Sequence, residues 1–344
     1  MGKITIIGAS MMGAALAFPA LENGHEVFIV GTPLDKDVMT ECKKTGKHPK
    51  FEKPFPQGVK FFYFEDWKGT IAGADFVVAG VSSFGVDWFL NEVLFDLDPK
   101  MPVLSVAKGL MDLEDGTLIT YNQYWERELA KKGIHRTICA IGGPCTAPEF
   151  IAQNHTKVAF CGENREELKM MKDMLKTSYY HISLTSDITG LESAVALKNG
   201  YALGIAMVIG LEEKEDGKPH YNSQAAAFYQ ATKEMSKLLS IQGASEQSCF
   251  IGLGDLFVTV CNGRTRKAGI LFGQGLSYDE SVQKLAGLTI ESLVVIKRVV
   301  RAVKKQAEKG LLNLDEFPFL MHIDQVINEQ KDPTLPWEKF TYED

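Results

Sequence analysis

The chain has 344 residues, of which 45% are hydrophobic and 24% charged, and its 37 basic and 44 acidic residues give a net charge of -7. This composition excludes a disordered chain, a fibrous protein and a small disulfide scaffold, and the acidic balance argues against a nucleic-acid-binding surface. At roughly 150 residues per domain, the length predicts two domains.

The first half of the chain has the pattern of alternating strands and helices. Short apolar runs predict strands, and residues 11–22, between the first two runs, have the apolar spacing of a helix. Such alternation indicates βαβ units and a parallel sheet, whose buried strands are continuous apolar runs. The predicted strands cover residues 4–7, 25–30, 60–64, 75–81, 103–107, 138–141 and 157–160.

From about residue 187 the pattern becomes helical. Residues 191–211, 223–242 and 281–308 carry apolar residues at helical spacing. The glycine-rich segment 252–275 predicts helices broken by turns, and the charged run 212–220 predicts an exposed loop. We therefore expect an α/β fold, with an N-terminal Rossmann-type, mostly parallel sheet and a C-terminal all-helical domain. The dinucleotide-binding domain would span residues 1–186, and the substrate-binding, catalytic domain residues 187–344.

Several expected absences bear on location and class. The longest strongly apolar stretch, residues 199–211, falls short of the ~20 residues that a membrane-spanning helix needs. The N-terminus leads directly into a strand, which is unlike a signal peptide. None of the six cysteines forms a CxxC pair or a metal-ligand pattern with histidine. We therefore expect a cytoplasmic protein with reduced cysteines, with no membrane insertion, no nucleic-acid partner and no metal.

The strongest local motif follows the first predicted strand. The segment IIGASMMGAALA has glycines at positions 8 and 13, in the strand, turn and helix order of a dinucleotide-binding unit. Gly8 would permit the tight turn and Gly13 the close packing of helix on strand, with the pyrophosphate bound by N–H groups at the helix N-terminus. Ser10 stands where the middle glycine of GxGxxG is expected, and a purely structural turn is the alternative.

The residues after the second strand bear on which dinucleotide binds. An NAD site usually has an acidic residue there, bonded to the ribose. This chain has Val30, Gly31, Thr32 and Pro33 instead. The missing acid removes repulsion against a 2′-phosphate, and Thr32 could donate to one, although no arginine is present to bind it. NAD and NADP therefore both stay open, with a slight preference for NADP.

Two lysines lie among apolar residues, where a charged side chain is not expected. Lys108 directly follows a buried strand, and ligands of open α/β sheets bind at the carboxyl ends of strands. Lys198 and Asn199 lie in a small, apolar helix that also contains Gly200 and Gly204, which could allow close approach of a backbone or a ligand. Burial would lower the pKa of Lys198 towards that of a general acid or base. The alternatives are a solvated loop lysine at 108 and a side chain that extends to solvent at 198.

Two further segments carry polar groups suited to phosphate chemistry. Asp255 and Thr259 share one helical face at i, i+4 spacing, although Asp255 could instead be a helix N-cap. Arg264, Arg266 and Lys267 lie in a glycine-flanked turn, and arginine binds phosphate bidentately. The alternative for that turn is a solvated basic loop. Taken together, the segments predict hydride transfer to a carbonyl of a phosphorylated substrate.

The motifs resemble, in order and over nearly the whole chain, those of NAD(P)-dependent glycerol-3-phosphate dehydrogenases. The matching segments are the glycine-rich opening at 8–17, the KG pair at 108–109, the GP turn at 143–144 followed by Ala147, ALKN at 196–199, the Asp255 to Thr259 segment, and the turn at 263–266. These six segments, in order and at suitable separations, are more specific than any one of them.

The resemblance implies a reversible reaction in which dihydroxyacetone phosphate and NAD(P)H give sn-glycerol 3-phosphate. By analogy, Lys198 would protonate the developing alkoxide, Lys108 would polarise the carbonyl, and Asp255 would hold Lys198 in place. The implied substrate-binding residues are Asn199, Thr259, Arg264, Thr265 and Lys108. The implied cofactor-binding residues are Gly8, Ser10, Met11, Met12, Gly13, Thr32, Ser82, Ala147, Arg264 and Glu291.

Three departures from the family pattern bear on ligand binding: Ser10 on the affinity for the cofactor, and the other two on the choice of substrate. Besides Ser10, Thr265 stands where asparagine is usual, and Cys145 and Thr146 stand where the bacterial form has serine and phenylalanine. The alternatives are a related lysine-dependent dehydrogenase for another small phosphorylated polyol or ketose, or for a 2-keto acid, and a non-catalytic NAD(P)-binding sensor. Glu291 could equally be a first-turn acid favoured by the helix dipole. A small phosphorylated substrate is the expected partner, and a homodimer is compatible with the sequence.

Overall fold

The computed structural model describes residues 1–285 and 290–341. The chain divides into two compact units, the first made of Met1–Lys108 and Tyr121–Ile188, and the second of Gly109–Thr120 and Thr189–Asp344. The segment Gly109–Thr120, which the sequence analysis placed in the first domain, thus belongs to the second unit.

Within residues 1–285 and 290–341, ten strands form two sheets. The strands are β1 (Lys3–Ile7), β2 (Glu26–Val30), β3 (Lys60–Phe62), β4 (Phe76–Ala79), β5 (Val103–Ser105), β6 (Leu110–Asp112), β7 (Leu118–Thr120), β8 (Cys139–Gly142), β9 (Thr156–Cys161) and β10 (Tyr180–Thr185). Eight of them form the sheet of the first unit, in the order β10-β9-β8-β5-β4-β1-β2-β3. The β8–β9 pairing is antiparallel and the other described pairings of this sheet are parallel, so the predicted Rossmann-type, mostly parallel sheet is confirmed.

Three strands were not predicted. β6 and β7 form an antiparallel hairpin in the second unit. β10 pairs with β9 at the edge of the large sheet, and its exposed His181 and Ser183 alternate with buried Tyr180 and Ile182. This alternation interrupts the apolar run that marks the buried strands, because an edge strand has one face in solvent.

The helices of the first unit begin with α1 and end with α8. They are α1 (Met11–Ala15), α2 (Ala17–Glu22), α3 (Lys36–Thr45), α4 (Trp67–Thr70), α5 (Val86–Phe89), α6 (Tyr121–Ala130), α7 (Ala147–Ile151) and α8 (Arg165–Leu175). The predicted single helix over residues 11–22 is wrong in one respect, since it is interrupted at Leu16. The cause is Pro19, which has no N–H to donate to the carbonyl of Ala15.

The second unit is built on seven helices within the described residues. They are α9 (Ile188–Glu215), α10 (Tyr221–Ile241), α11 (Glu246–Cys261), α12 (Arg264–Gly273), α13 (Tyr278–Lys284), α14 (Glu291–Glu308) and α15 (Pro318–Glu329). The predicted loop over 212–220 begins too early, because α9 continues to Glu215. The predicted helical segment 281–308 is divided between α13 and α14, and its residues 286–289 lie outside the described residues.

Helix α9 runs through the core of the second unit. By length and hydropathy it could cross a membrane, contrary to the expectation from the sequence, yet 94% of its apolar window is buried inside the protein. Its glycines allow neighbouring helices to approach closely. A Cβ on Gly200 would lie 2.6 Å from Ile296 Cδ1 of α14, and one on Gly204 would lie 2.8 Å from Phe319 Cζ of α15. Helix packing therefore accounts for these glycines.

Candidate active site

The turn after β1 has the geometry of a dinucleotide cradle. Gly8 has a φ of +106°, which favours glycine, and a Cβ there would lie 2.5 Å from the carbonyl oxygen of Gly80. A Cβ on Gly13 would lie 2.6 Å from Gly80 Cα, so the first helix packs directly against the backbone after β4. Gly8 is therefore needed for the tight turn and Gly13 for the close packing of helix on strand, and the turn fits a dinucleotide.

Ser10 takes a specific place in this turn. It is the N-cap of α1, and its Oγ accepts the N–H of Gly13 at 3.3 Å. A serine at an N-cap satisfies one of the N–H groups that have no partner within the helix. The departure from glycine at this position therefore has a structural reason.

Most N–H groups of the turn already have partners in the protein. Those of residues 8, 9 and 10 donate to Val30 O at 2.8 Å, to Asp35 Oδ2 at 3.1 Å and to Gly80 O at 3.1 Å. Met11 and Met12 open α1, where N–H groups lack carbonyl partners within the helix. These two residues are therefore the candidates for binding a pyrophosphate.

Thr32, after β2, is hydrogen-bonded to Asp35 within the protein. Its hydroxyl donates to Asp35 Oδ2 at 2.8 Å, and its N–H donates to the same oxygen at 2.9 Å. The hydroxyl proton is thus used within the protein, and only the oxygen of this hydroxyl is left to contact a cofactor. Asp35 thereby connects the residues after β2 to the turn after β1.

The first unit also places Lys108, Cys145 and Ala147. Lys108 follows β5, and its Nζ donates to the carbonyl of Gly143 at 3.2 Å. Cys145 Sγ lies 3.8 Å from the sulfur of Met12, so it contacts the turn after β1. Ala147 is buried and opens α7. Ser82 precedes a short 3₁₀ turn that follows β4.

The second unit holds a buried lysine between two side chains of α11. Lys198, on α9, is 7% exposed, and Asp255 is 2% exposed. Lys198 Nζ donates to Asp255 Oδ1 at 2.9 Å and to Thr259 Oγ1 at 2.6 Å. The Thr259 hydroxyl donates in turn to the backbone carbonyl of Asp255 at 2.7 Å, which fixes its oxygen as the acceptor towards Lys198.

This arrangement decides between the alternatives for these residues. Asp255 lies inside α11 and is not an N-cap, and Lys198 is paired within the core and does not extend to solvent. The ion pair and the second hydrogen bond hold the Lys198 ammonium in one orientation. Such an ammonium can give a proton to a substrate oxygen or stabilise its negative charge.

The predicted phosphate-binding residues lie on two elements of the same unit. Asn199 is buried next to Lys198 on α9. Arg264 is exposed and opens α12 after Gly263, whose φ is +105°, and Thr265 behind it is buried. Arg266 instead donates to Val260 O at 3.2 Å, at the end of α11. Glu291 opens α14, as predicted.

Among the buried side chains with polar contacts that the sequence did not single out are Glu192 and His48. Glu192 on α9 is buried, and its carboxylate accepts the Thr120 hydroxyl at 2.8 Å. His48, between α3 and β3, has its Nε2 3.1 Å from the carbonyl oxygen of Ala9. Neither residue belongs to a local motif, so only the fold reveals its partner. Within residues 1–285 and 290–341, the structure shows no group of three or more histidine, cysteine or acidic residues that could hold a metal.

Comparison with known proteins gives a consistent result. Models described as NAD-dependent glycerol-3-phosphate dehydrogenase N-terminus and C-terminus match residues 3–168 and 187–337. A relative named NADP(+)-dependent glycerol-3-phosphate dehydrogenase, from Archaeoglobus fulgidus, is 32% identical over 82% of this chain and 83% of its own. A relative named glycerol-3-phosphate dehydrogenase [NAD(P)+], from Clostridium botulinum, is 25% identical over 98% of this chain and 97% of its own.

Solved structures agree at the level of the fold. A crystal structure of glycerol-3-phosphate dehydrogenase from Coxiella burnetii has a TM-score of 0.82 and 23% identity, and the match covers 98% of this chain and 97% of that one. A ketopantoate reductase from Ralstonia eutropha has a TM-score of 0.60 and 14% identity, and the match covers 95% and 99%.

Proposed function

The chain belongs to the NAD-dependent glycerol-3-phosphate dehydrogenase family, and we propose that it interconverts dihydroxyacetone phosphate and sn-glycerol 3-phosphate. It is an NAD(P)-dependent oxidoreductase that acts on a CH–OH group. The observation that carries the proposal is the buried Lys198, which Asp255 and Thr259 hold at 2.9 Å and 2.6 Å. A non-catalytic dinucleotide sensor would have no need of a buried lysine held in this way.

The cofactor is NAD or NADP, bound through the turn after β1. The glycines at 8 and 13, with Ser10, Met11 and Met12, would hold the pyrophosphate, and the bound cofactor supplies the hydride for carbonyl reduction. We assign Thr32, Ser82, Ala147, Arg264 and Glu291 to the cofactor as well, on the family pattern. The preference for NADP loses the support of Thr32, because Asp35 already accepts that hydroxyl proton.

Lys198 is the proton donor in our proposal. When the carbonyl carbon of dihydroxyacetone phosphate is reduced, its oxygen takes a proton from Lys198 Nζ, so that an alcohol forms and a neutral amine is left. Asp255 and Thr259 are suited to hold Nζ in one place during this transfer, which is the condition for general acid catalysis. In the reverse direction the neutral amine would take the alcohol proton.

Further residues would bind and polarise the substrate. Arg264 and Asn199 are assigned to the phosphate, and Thr265, adjacent to Arg264, to the same subsite. A guanidinium suits a phosphate dianion because it donates two parallel hydrogen bonds. Lys108 is assigned to the carbonyl oxygen, where a positive charge stabilises the developing alkoxide.

The enzyme alternative is a reductase for another phosphorylated ketose or a 2-keto acid. The ketopantoate reductase from Ralstonia eutropha shows that a similar fold occurs in a protein of that name. Both halves of this chain match the glycerol-3-phosphate dehydrogenase models, however, and Arg264 is retained. We therefore favour the phosphorylated triose.

Location and assembly remain proposals of the same kind. None of the six cysteines lies in a CxxC pair or in a metal-ligand pattern with histidine, which supports a reducing, cytoplasmic location. The burial of α9 supports a core helix rather than membrane insertion. A homodimer stays a prediction.

The test is a reductase assay with purified protein. We expect NADH or NADPH to be oxidised when dihydroxyacetone phosphate is added, with much weaker turnover on unphosphorylated dihydroxyacetone or on ketopantoate. A stereospecific assay of the product should find sn-glycerol 3-phosphate. Folded protein that reduces ketopantoate and leaves dihydroxyacetone phosphate untouched would overturn the proposal.

A further inference from the structure

The peptide groups around Ala9, in the turn after β1, are held by two side chains from outside the turn. Asp35 Oδ2 accepts the Ala9 N–H at 3.1 Å. His48 Nε2 lies 3.1 Å from the Ala9 carbonyl oxygen. Ala9 follows Gly8, whose positive φ belongs to a backbone with wide conformational freedom. Because Gly8 restricts the backbone conformation little, the contacts from Asp35 and His48 hold the part of the turn that would otherwise be the most flexible.

The hydrogen-bond partners of His48 determine its tautomer. The backbone N–H of Lys50 points at His48 Nδ1 at 3.1 Å and can only donate, so Nδ1 is the acceptor. The proton of the neutral ring is then on Nε2, which donates to Ala9 O. Burial lowers the pKa of His48, which favours this neutral form.

The position of the ring is set by the core rather than by the turn. His48 is 2% exposed and stacks on Phe51 with ring centroids 4.4 Å apart. Phe51 packs in turn against Phe18 and Phe55. The Asp35 Oδ2 atom that accepts the Ala9 N–H also accepts the hydroxyl and the N–H of Thr32, which fixes its position. Both groups can therefore hold the Ala9 peptides in a fixed orientation.

We propose that His48, together with Asp35, is a positioning residue that pre-orders the dinucleotide-binding turn. The inference rests on the cofactor assignment made above. Without the His48 contact the Ala9 carbonyl loses its partner, and the turn must be ordered when the cofactor binds, which weakens binding. NAD and NADP share the part of the molecule that this turn would bind. The effect should therefore be equal for the two nucleotides.

Three substitutions of His48 separate this contact from the others of the ring. His48→Phe keeps the flat ring and its stacking but removes both nitrogens. His48→Gln can place an amide N–H near the position of Nε2, whereas His48→Asn can only reach the position of Nδ1. The control is His322→Phe. His322 is another buried histidine with a lowered pKa, and its Nε2 lies 3.2 Å from Pro333 O in the second unit.

The readout is the dissociation constant for NADH and for NADPH, titrated without substrate, beside thermal unfolding and the kcat and KM of each variant. We expect His48→Phe and His48→Asn to bind both nucleotides about tenfold more weakly, the size expected for a lost hydrogen bond with an unpaired carbonyl. KM for the nucleotide should rise with little change in kcat. His48→Gln should recover most of the affinity, and His322→Phe should bind like the wild type.

The outcomes separate this inference from the proposed function. Equal nucleotide affinity in wild type, His48→Asn and His48→Gln would overturn the inference alone, and this comparison stands even if His48→Phe does not fold. A loss of affinity in His322→Phe as large as that in His48→Asn would also overturn it, because the effect would then be one of general stability. A folded wild type that binds neither nucleotide would overturn the cofactor assignment and the inference with it.

Discussion

The ammonium of Lys198 donates to a carboxylate and to a hydroxyl of α11, so a charged group is kept in the core of the second unit. A polar residue in apolar surroundings needs a partner, and this alone was enough to select Lys198 and Asp255 from the sequence. Their partnership was expected only from the family resemblance and not from the residues themselves, because 57 residues separate the two. His48 gave no signal at all, since its partner Ala9 is a backbone carbonyl 39 residues away.

The stability of this ion pair can be tested apart from its chemistry. Asp255→Ala should lower the free energy of unfolding by about 3–5 kcal/mol, because it leaves the buried ammonium of Lys198 without its counter-charge. Denaturant titration of wild type and variant measures the difference. The double variant Lys198→Met with Asp255→Leu should recover much of that stability, since an apolar pair of similar volume replaces the ion pair.

The double variant also separates folding from function. We expect it to unfold near the wild-type denaturant concentration and yet to have lost dihydroxyacetone phosphate reduction. An Asp255→Ala protein as stable as the wild type would contradict the claim that the pair is buried and coupled.

The helices and strands whose apolar residues recur at a regular spacing were predicted from the sequence. Those whose formation depends on residues distant in the chain were not. The apolar runs of β1, β4 and β5 and the helical spacing of α9 and α10 gave their places within a few residues. The edge strand β10 was missed because one of its faces is polar. The antiparallel β8–β9 pairing was missed because it depends on which strands become neighbours in space.

Helices α9 and α12 pack with their backbones in close contact. A Cβ on Gly210 of α9 would overlap the backbone carbonyl of Ile270, and one on Gly273 of α12 would overlap that of Met207. Gly210→Ala should therefore push α12 away and destabilise the protein by about 1–3 kcal/mol, as overpacking does. Because Arg264 opens α12, the KM for dihydroxyacetone phosphate should rise as well.

The matched variant is Gly200→Ala on the same helix. Its new Cβ would meet only the Cδ1 and Cγ1 atoms of Ile296, which can move, and alanine favours a helix over glycine by about 0.5–1 kcal/mol. We expect Gly200→Ala to lose less stability than Gly210→Ala and to leave the KM for dihydroxyacetone phosphate unchanged. Thermal unfolding and steady-state kinetics compare the two variants, and equal effects would contradict backbone contact between α9 and α12.

In the whole molecule, each of the two units is made of two separate segments of the chain, so one boundary does not divide them. Sequence reasoning placed one boundary near residue 187, whereas the hairpin β6–β7 leaves the first unit and joins the second. Leu110 of this hairpin is fully buried there, and its carbonyl accepts Arg298 Nη1 at 2.7 Å. Asp112 receives two hydrogen bonds from Arg301, at 2.7 Å and 2.8 Å. A change in composition along the chain cannot reveal a segment inserted from elsewhere.

The role of the hairpin can be tested with fragments of the second unit. Residues 187–344 alone should unfold at a lower denaturant concentration and with less cooperativity than the same fragment preceded by residues 109–120 and a flexible linker. The reason is that the hairpin fills the core position of Leu110, and loss of a buried leucine costs about 2–5 kcal/mol. Identical unfolding curves for the two fragments would show that the hairpin does not belong to this unit.

The most direct test of the proposed chemistry is the kcat/KM for dihydroxyacetone phosphate in Lys198→Met, measured beside the wild type and a control lysine. The control is Lys304→Met, because Lys304 also pairs with a buried aspartate, Asp324, at 2.7 Å in the same unit. Loss of the proton donor should lower kcat/KM by roughly 10²-fold or more in Lys198→Met and leave Lys304→Met near the wild type. Folded Lys198→Met with wild-type activity would contradict the central role of this lysine.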